Sequence, residues 1–534
     1  MCLIVTPWCI SKSLLYFVIA SFSEAFYILL SMRSAFWFFI LFLGITGTST
    51  AQDFQHLPPV VTSSLFKDTS VSFLLSTFDM RRFKGNQTQL YCNTVEITDA
   101  SSPWPPRWYS TAPLYSDSMY RIDTINHLWR LYFVFDPKVD CGQFSFFKEL
   151  TLTKIGQEKA ADGAGYIILN KQMEPIDTVK STGKSALYYH DFRSNSKHER
   201  LVDIKTDTVL DLRKASGDEK DSTVRSRFDI LEILNANNQV IFSWNPLKHL
   251  DPNIFQFKES LKSRSFSASD HEAIEWSRLT SAFFDYDGDI LYSMRFVGIG
   301  KISRKDGHVI WHIDFPDIPI ISGKDTIRWY SVHDFNLLKD NDTSATYSIY
   351  SLGEEEYPHA GGVVFEMDKR TNKVKLVRNI YARKQYIGLG QGSCNLLENG
   401  NYILNYGIFP EDNNEQDYRT FAEYGNKADS IIANYQLPYL VYAYKVHVLN
   451  DWPRPPRPKI TLRGSTLYAD GPMEEGWTWY RLDGPNKTQI TPLATGKSLK
   501  VRYAGTYCVE AKYGMGYSVS LPFDYKLKEK NEPY

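Results

Sequence analysis

The stretch Gly300-Lys-Ile-Ser-Arg-Lys-Asp-Gly-His-Val-Ile-Trp311 reads as a strand, an Asp-Gly turn and a second strand closing on an aromatic residue. Asn and Gly at such turns supply the positive φ that tight hairpins require. The same phrase occurs at Phe228–Trp244, and again at Gly362–Leu376 with a longer turn. Upstream of these hairpins lie further strand pairs, Phe284–Ser293 and Asn395–Tyr406, each broken by an Asp/Asn/Gly turn. A unit of about four strands is the content of one propeller blade. Corresponding residues Ile233, Ile302 and Met367 recur at roughly 65-residue intervals, longer than the roughly 40 to 50 of common propeller repeats, so the loops must be long. A weaker copy opens at Gly165–Asn170, and Leu440–Val446 reads as a strand of a further blade. Such blades cannot bury their faces alone, so the array must close on itself.

At 534 residues the chain exceeds one small domain, and 43% hydrophobic residues with a net charge of -1 describe an ordinary globular protein. No basic stripe points to nucleic acid. The 34 Tyr, 32 Phe and 12 Trp suit a β-rich fold, because aromatic rings pack well on pleated surfaces.

Two apolar runs precede residue 50, separated by Ser31-Met-Arg-Ser34. The second, Ala35–Ile45, ends in small residues up to Ala51, the pattern of a secretory signal with a mature start near Gln52. Met32 reads as the true start; an amino-terminal membrane anchor is the other reading. Either predicts an exported protein, periplasmic, cell-surface or secreted, with no stable membrane insertion once a signal is removed. The mature chain keeps Cys92, Cys141, Cys394 and Cys508, and an oxidising compartment favours Cys92–Cys141 as the most plausible disulfide. No two of these are spaced as zinc ligands, so no metal is expected. Three glycosylation sequons stand at Asn86, Asn341 and Asn486.

The domain plan is therefore a targeting segment (1–51), an N-terminal β domain (52–160), a β-propeller (161–450), a Pro-rich linker (451–458) and a C-terminal module (459–526). The linker Asp451-Trp-Pro-Arg-Pro-Pro-Arg-Pro458 is stiff, since closely spaced prolines favour the extended form. In the last module, Ala504-Gly-Thr-Tyr-Cys-Val-Glu510 resembles the G-x-Y-x-V strand of an immunoglobulin-like β-sandwich, with Trp479 as the central core residue. It lacks the second cysteine of an inter-sheet disulfide.

Two His-Asp pairs, Tyr189-His-Asp-Phe192 and Val332-His-Asp-Phe335, fall at matching points of repeated units and suggest one shared site. Taken with Tyr292-Ser-Met-Arg295 and Gly390-Gln-Gly-Ser-Cys-Asn-Leu-Leu-Glu-Asn-Gly-Asn401, they resemble the bacterial-type arylsulfotransferase family over roughly 185 to 445. The resemblance implies an all-β fold with a six-bladed propeller. It also implies transfer of a sulfuryl group from an aryl sulfate to a phenol, both small molecules, without a nucleotide sulfate donor or other cofactor.

By the same resemblance, His333 is the nucleophile that carries the group as a covalent intermediate, His190 the first site histidine and Arg295 the site arginine. Neutral imidazole is a competent nucleophile, and a covalent step divides one hard transfer into two. A guanidinium and a second imidazole suit the charge spread over the transferred oxygens. Asp334 is a candidate to fix the nucleophile's tautomer, although neighbours on a strand point oppositely.

The chain departs from the family where a histidine is expected in Glu275-Trp-Ser-Arg-Leu-Thr-Ser281, since Arg278 takes its place and Thr280 that of an asparagine. Val332 replaces a glutamine. Arginine holds an oxygen but delivers no proton, which leaves His190, His271, a tyrosine or no residue at all as the general acid. Bland roles stand beside these: hydrogen-bonded structural histidines at 333 and 190, and ion pairing for Arg278 and for Arg295 with Asp285 or Asp287. The Asp285–Asp289 run lacks the distal Glu of a calcium loop and reads as a turn. Two functions are thus open, the sulfuryl transferase and a catalytically silent propeller that binds aromatic or anionic ligands.

Overall fold

The computed structural model describes residues 174–180 and 186–527 apart from internal stretches, the longest being 253–273, 382–391 and 408–420, together with strands between 62 and 169. The targeting segment, Met32, Gln52, Cys2, Cys9, Cys141, Asn86, Asn486, His271 and most of the proline linker lie outside the described residues. Among the described residues the chain is almost wholly β, in antiparallel sheets, and no helix is long and apolar enough to cross a membrane.

The hairpin that opens the sequence reading folds as expected. Gly298–Ile302 and Val309–Asp314 pair antiparallel and complete a four-stranded sheet with Leu279–Phe284 and Ile290–Met294, in chain order. The Asp-Gly turn closes through Gly307 N–H donating to Ser303 O at 2.8 Å, with Gly307 at φ +76. The same strand order recurs from Ala186–Ser194 to Val240–Trp244 and from Val332–Asp340 to Val374–Tyr381. Successive sheets share cores. Leu231, Ile233 and Trp244 pack with Ile290, Tyr292 and Met294, while Leu291 and Ile299 pack with Phe335, Tyr347 and Phe365. The sheet from Leu279 to Asp314 is thus buried on both faces, an arrangement that makes consecutive sheets β-propeller-like.

The turns between sheets are tied by charge. Arg304, beside the Asp-Gly turn, makes a bidentate pair with Glu199 of the Asn195–Glu199 turn, at 2.8 and 2.6 Å. This guanidinium holds the Glu199 carboxyl below its usual range.

One four-stranded sheet runs across residue 160. Arg130–Val134 and Gln143–Lys148 pair onward to Gly165–Leu169 and Pro175–Lys180. Thr62–Leu65 adds to Ile431–Gln436 at the edge of the sheet that begins with Ser393–Leu396. Ser72–Asp79 pairs with Val441–Leu449, joining an early strand to a late one. A closing array needs such a seam, and pairings between residues so far apart leave no local mark in the sequence.

Beyond the linker, Lys459–Arg463, Thr466–Asp470 and Ser498–Lys500 form one sheet, and Thr478–Asp483 with Gly505–Tyr513 forms the heart of another. Leu467, Val501, Val509 and a fully buried Trp479 fill the space between them. The Trp479 indole N–H donates to Gly496 O at 2.9 Å, the partner a buried indole requires. Gly516–Val519 also pairs with Trp108–Ser116, so the second sheet runs on into the strands at 72–116. Cys394 and Cys508 are free thiols, both buried.

Candidate active site

His333 is the second residue of the strand Val332–Asp340 and is 3% exposed. The backbone around it is unusual. Ser331 at φ 49 and Asp334 at φ 61 both occupy the left-handed region, and the pairing with Ser344–Ser351 slips between His333 and Phe335. Each such residue costs on the order of 1 to 3 kcal/mol and persists only where surrounding contacts impose it. Two hydroxyls of the strand Leu279–Phe284 impose it here. Thr280 Oγ1 donates to Val332 O at 3.1 Å, and Ser281 Oγ accepts from Phe335 N–H at 3.1 Å.

The imidazole is fixed by a carbonyl. Gly392 O accepts from His333 Nδ1 at 2.8 Å, which places the proton on Nδ1 and leaves the lone pair on Nε2. Asp334, the expected tautomer setter, is engaged elsewhere, because its bulge turns the carboxylate toward Asn336 Nδ2 at 2.6 Å and Cys394 N–H at 3.2 Å. Gly392 sits at φ +102, and a Cβ there would lie 2.3 Å from the Tyr350 ring. Tyr350 pairs across the ladder with His333 and donates to Tyr406 O at 2.9 Å.

Arg278 and Arg295 bracket the hairpin Leu279–Met294, joined by Arg295 N–H donating to Arg278 O at 2.7 Å. Both are buried. Burial, then the Lys445 charge, holds the His333 imidazole well below its usual range; Arg295 and Arg278 add to this, and the Gly392 carbonyl opposes it. The expected residues 278, 295 and 333 therefore share one electrostatic environment. A neutral imidazole with its lone pair on Nε2 among cations is fit to attack an electrophile that carries anionic oxygens.

The model of the arylsulfotransferase (ASST) family matches residues 156–418. The chain carries an arylsulfotransferase family domain. No curated protein matches it. Among solved structures, the WD40 β-propeller domain of Doa1 is similar at 9% identity and a TM-score of 0.31, over 74% of this chain and 93% of that one. A putative 6-phosphogluconolactonase from Bacteroides uniformis ATCC 8492 is similar at 9% identity and a TM-score of 0.32, over 71% and 99%.

His190 lies in the strand Ala186–Ser194, where the pairing slips between Tyr188 and Phe192, a second irregular backbone at a His-Asp pair. That strand packs beside the arylsulfotransferase strand Leu279–Phe284; the His190 side chain lies outside the described residues. Asp285 and Asp287 hold Lys301, the former at 2.6 Å, so the Asp-rich turn has its own cation.

Sequence reasoning missed Lys445, which lies past the segment matched by the arylsulfotransferase model. It is 2% exposed on Val441–Leu449, with Nζ 3.2 Å from Asp334 Oδ1 and 3.3 Å from both Thr280 O and Ser281 Oγ. Its signal was legible: in Leu440-Val-Tyr-Ala-Tyr-Lys-Val446 it shares a face with the fully buried Ala443. A lysine on a buried strand face needs a partner.

Proposed function

We propose that the protein is an exported sulfotransferase that moves a sulfuryl group from an aryl sulfate to a phenol through a sulfo-histidine at position 333. The observation that carries the reading is the bond from His333 Nδ1–H to Gly392 O, which presents Nε2 as the nucleophile. In the first half-reaction Nε2 forms the N–S bond while the aryl S–O bond breaks and the phenolate departs. In the second, the phenol oxygen attacks sulfur, the N–S bond breaks and Nε2 is regenerated. One proton passes from acceptor to leaving group over the cycle, and His190 is the imidazole placed by the sequence pattern to carry it. Arg295 and Arg278 hold the sulfuryl oxygens. With arginine at 278, donors with good leaving groups are favoured, because that position supplies no proton.

The same proposal takes the sheets as a six-bladed ring closed by Ser72–Asp79 on Val441–Leu449, and the module after the linker as immunoglobulin-like, with Trp479 at its core. Residues 1–51 act as the export segment.

The test is incubation with 4-nitrophenyl or 4-methylumbelliferyl sulfate and phenol, wild type against His333→Ala. Phenol-dependent release that disappears in the variant supports transfer. No release by wild type moves the reading to a silent propeller binding aromatic or anionic ligands, which the replacement of a histidine by Arg278 favours.

A further inference from the structure

Four strands meet at one buried ion pair. Lys445 comes from Val441–Leu449, Asp334 from Val332–Asp340, the oxygens of Thr280 and Ser281 from Leu279–Phe284, and the Cys394 N–H from Ser393–Leu396. Asp334 is the residue after His333, and Cys394 lies two residues past Gly392, whose carbonyl holds the imidazole. The carboxylate thus grips both the backbone that carries the histidine and the strand that carries its acceptor. Lys445 grips the carboxylate together with the strand whose hydroxyls brace Val332 and Phe335.

We propose that Lys445 is a positioning residue for His333, acting through Asp334 to hold the left-handed bulge and the Gly392 carbonyl that together fix the imidazole's tautomer and orientation. The kinetic consequence rests on the sulfuryl-transfer reading; the placement of the imidazole does not.

Removing either member of a buried ion pair leaves the other as an uncompensated charge. Without Lys445 the Asp334 carboxylate keeps the Asn336 amide and the Cys394 N–H, and the bulge is tied to Leu279–Phe284 through the Thr280 and Ser281 hydroxyls without the ion pair that links them to Asp334. Among the described residues, the other ionisable groups around His333 include Arg278 and Arg295 at the ends of the neighbouring hairpin, Tyr350 on the paired strand and Cys394 two residues past Gly392; burial pushes the last two upward, so neither carries charge near neutral pH. Loss of Lys445 therefore moves His333 titration upward, because the largest of the lysine and arginine contributions is gone while the carboxylate remains.

The experiment is nitrogen-15 NMR of labelled histidine in wild type, Lys445→Met, Lys445→Arg and the double variant Lys445→Met/Asp334→Asn, with transfer kinetics on 4-nitrophenyl sulfate and phenol alongside. Wild type should show one neutral tautomer, protonated at Nδ1. Lys445→Met should show both tautomers and a raised titration, with kcat down about 100-fold and KM nearly unchanged, the scale of a misplaced reacting group. Lys445→Arg should restore the single tautomer and part of kcat. The double variant, which removes both charges and so keeps the interior neutral, should fold and still show both tautomers. A single wild-type tautomer in the folded single or double variant would overturn the proposal, whatever the kinetics. If wild type transfers nothing, the sulfuryl reading falls while the tautomer measurement still decides the role of Lys445.

Discussion

The carbonyl oxygen of Gly392 lies 2.8 Å from the Nδ1 of His333, and no side chain but hydrogen fits at position 392, because a Cβ would enter the Tyr350 ring. A glycine therefore decides which imidazole nitrogen carries the proton. Gly392→Ala should reduce kcat about 100-fold by displacing the acceptor. It should also destabilise the fold by about 2 kcal/mol, from the left-handed backbone and the clash. Urea midpoint and transfer rate measured on one preparation check both, and wild-type kcat in a folded variant would remove the carbonyl from the site.

The depressed titration of His333 fixes a pH dependence. Folded protein keeps the imidazole neutral well below pH 6.5, so the acid limb of kcat/KM for a good leaving group should lie well below that value. The unfolded chain protonates near pH 6.5 and the folded one at lower pH, so the unfolded state binds more protons between them and stability falls as pH drops through that window. His333→Gln should show a shallower acid loss of stability than wild type in chemical denaturation at graded pH.

Arg278 brings permanent charge where the family resemblance places a histidine. Arg278→His should raise turnover of aryl sulfates with poor leaving groups by about 100-fold, the lower end for one general acid, and change 4-nitrophenyl sulfate little. A plot of log kcat against leaving-group pKa should flatten in the variant. An unchanged or steeper slope would count against the assignment of position 278.

The Arg304–Glu199 pair links two turns rather than a site. Glu199→Gln should lower stability by about 1 kcal/mol near neutral pH, at the upper end for a partly exposed pair of good geometry. Because the folded carboxyl titrates below its usual value of 4.5, the contribution is present above that pH and disappears as pH falls through the folded value. Thermal melts of wild type and variant should therefore converge in acid, with transfer unaffected throughout.

Local patterns carried much of this fold in the sequence. The Asp-Gly and Asn-Gly turns and the alternation around Ile302 and Met367 determine their hairpins through neighbouring residues alone, and His333 was found because its surroundings repeat those of His190. What stayed hidden depends on residues far apart in the chain. The pairing of Ser72–Asp79 with Val441–Leu449 and the docking of Lys445 on Asp334 join residues far apart in the chain, which no window of neighbouring residues encodes. Asp334 illustrates the limit: strand parity gives the direction of its side chain only for regular backbone, and a left-handed bulge suspends that rule.

The seam between Ser72–Asp79 and Val441–Leu449 also dictates an order of events. An early strand waits for one made about 370 residues later, and the strand Trp108–Ser116 waits longer still, for Gly516–Val519. Until the carboxyl end arrives, those backbones present hydrogen-bonding edges that any extended peptide can occupy. A chain truncated before residue 441 keeps His333 and both arginines yet lacks Lys445, so the strand that covers the early edge also delivers the cation that holds Asp334, and an unfinished molecule with that edge open is prone to aggregate.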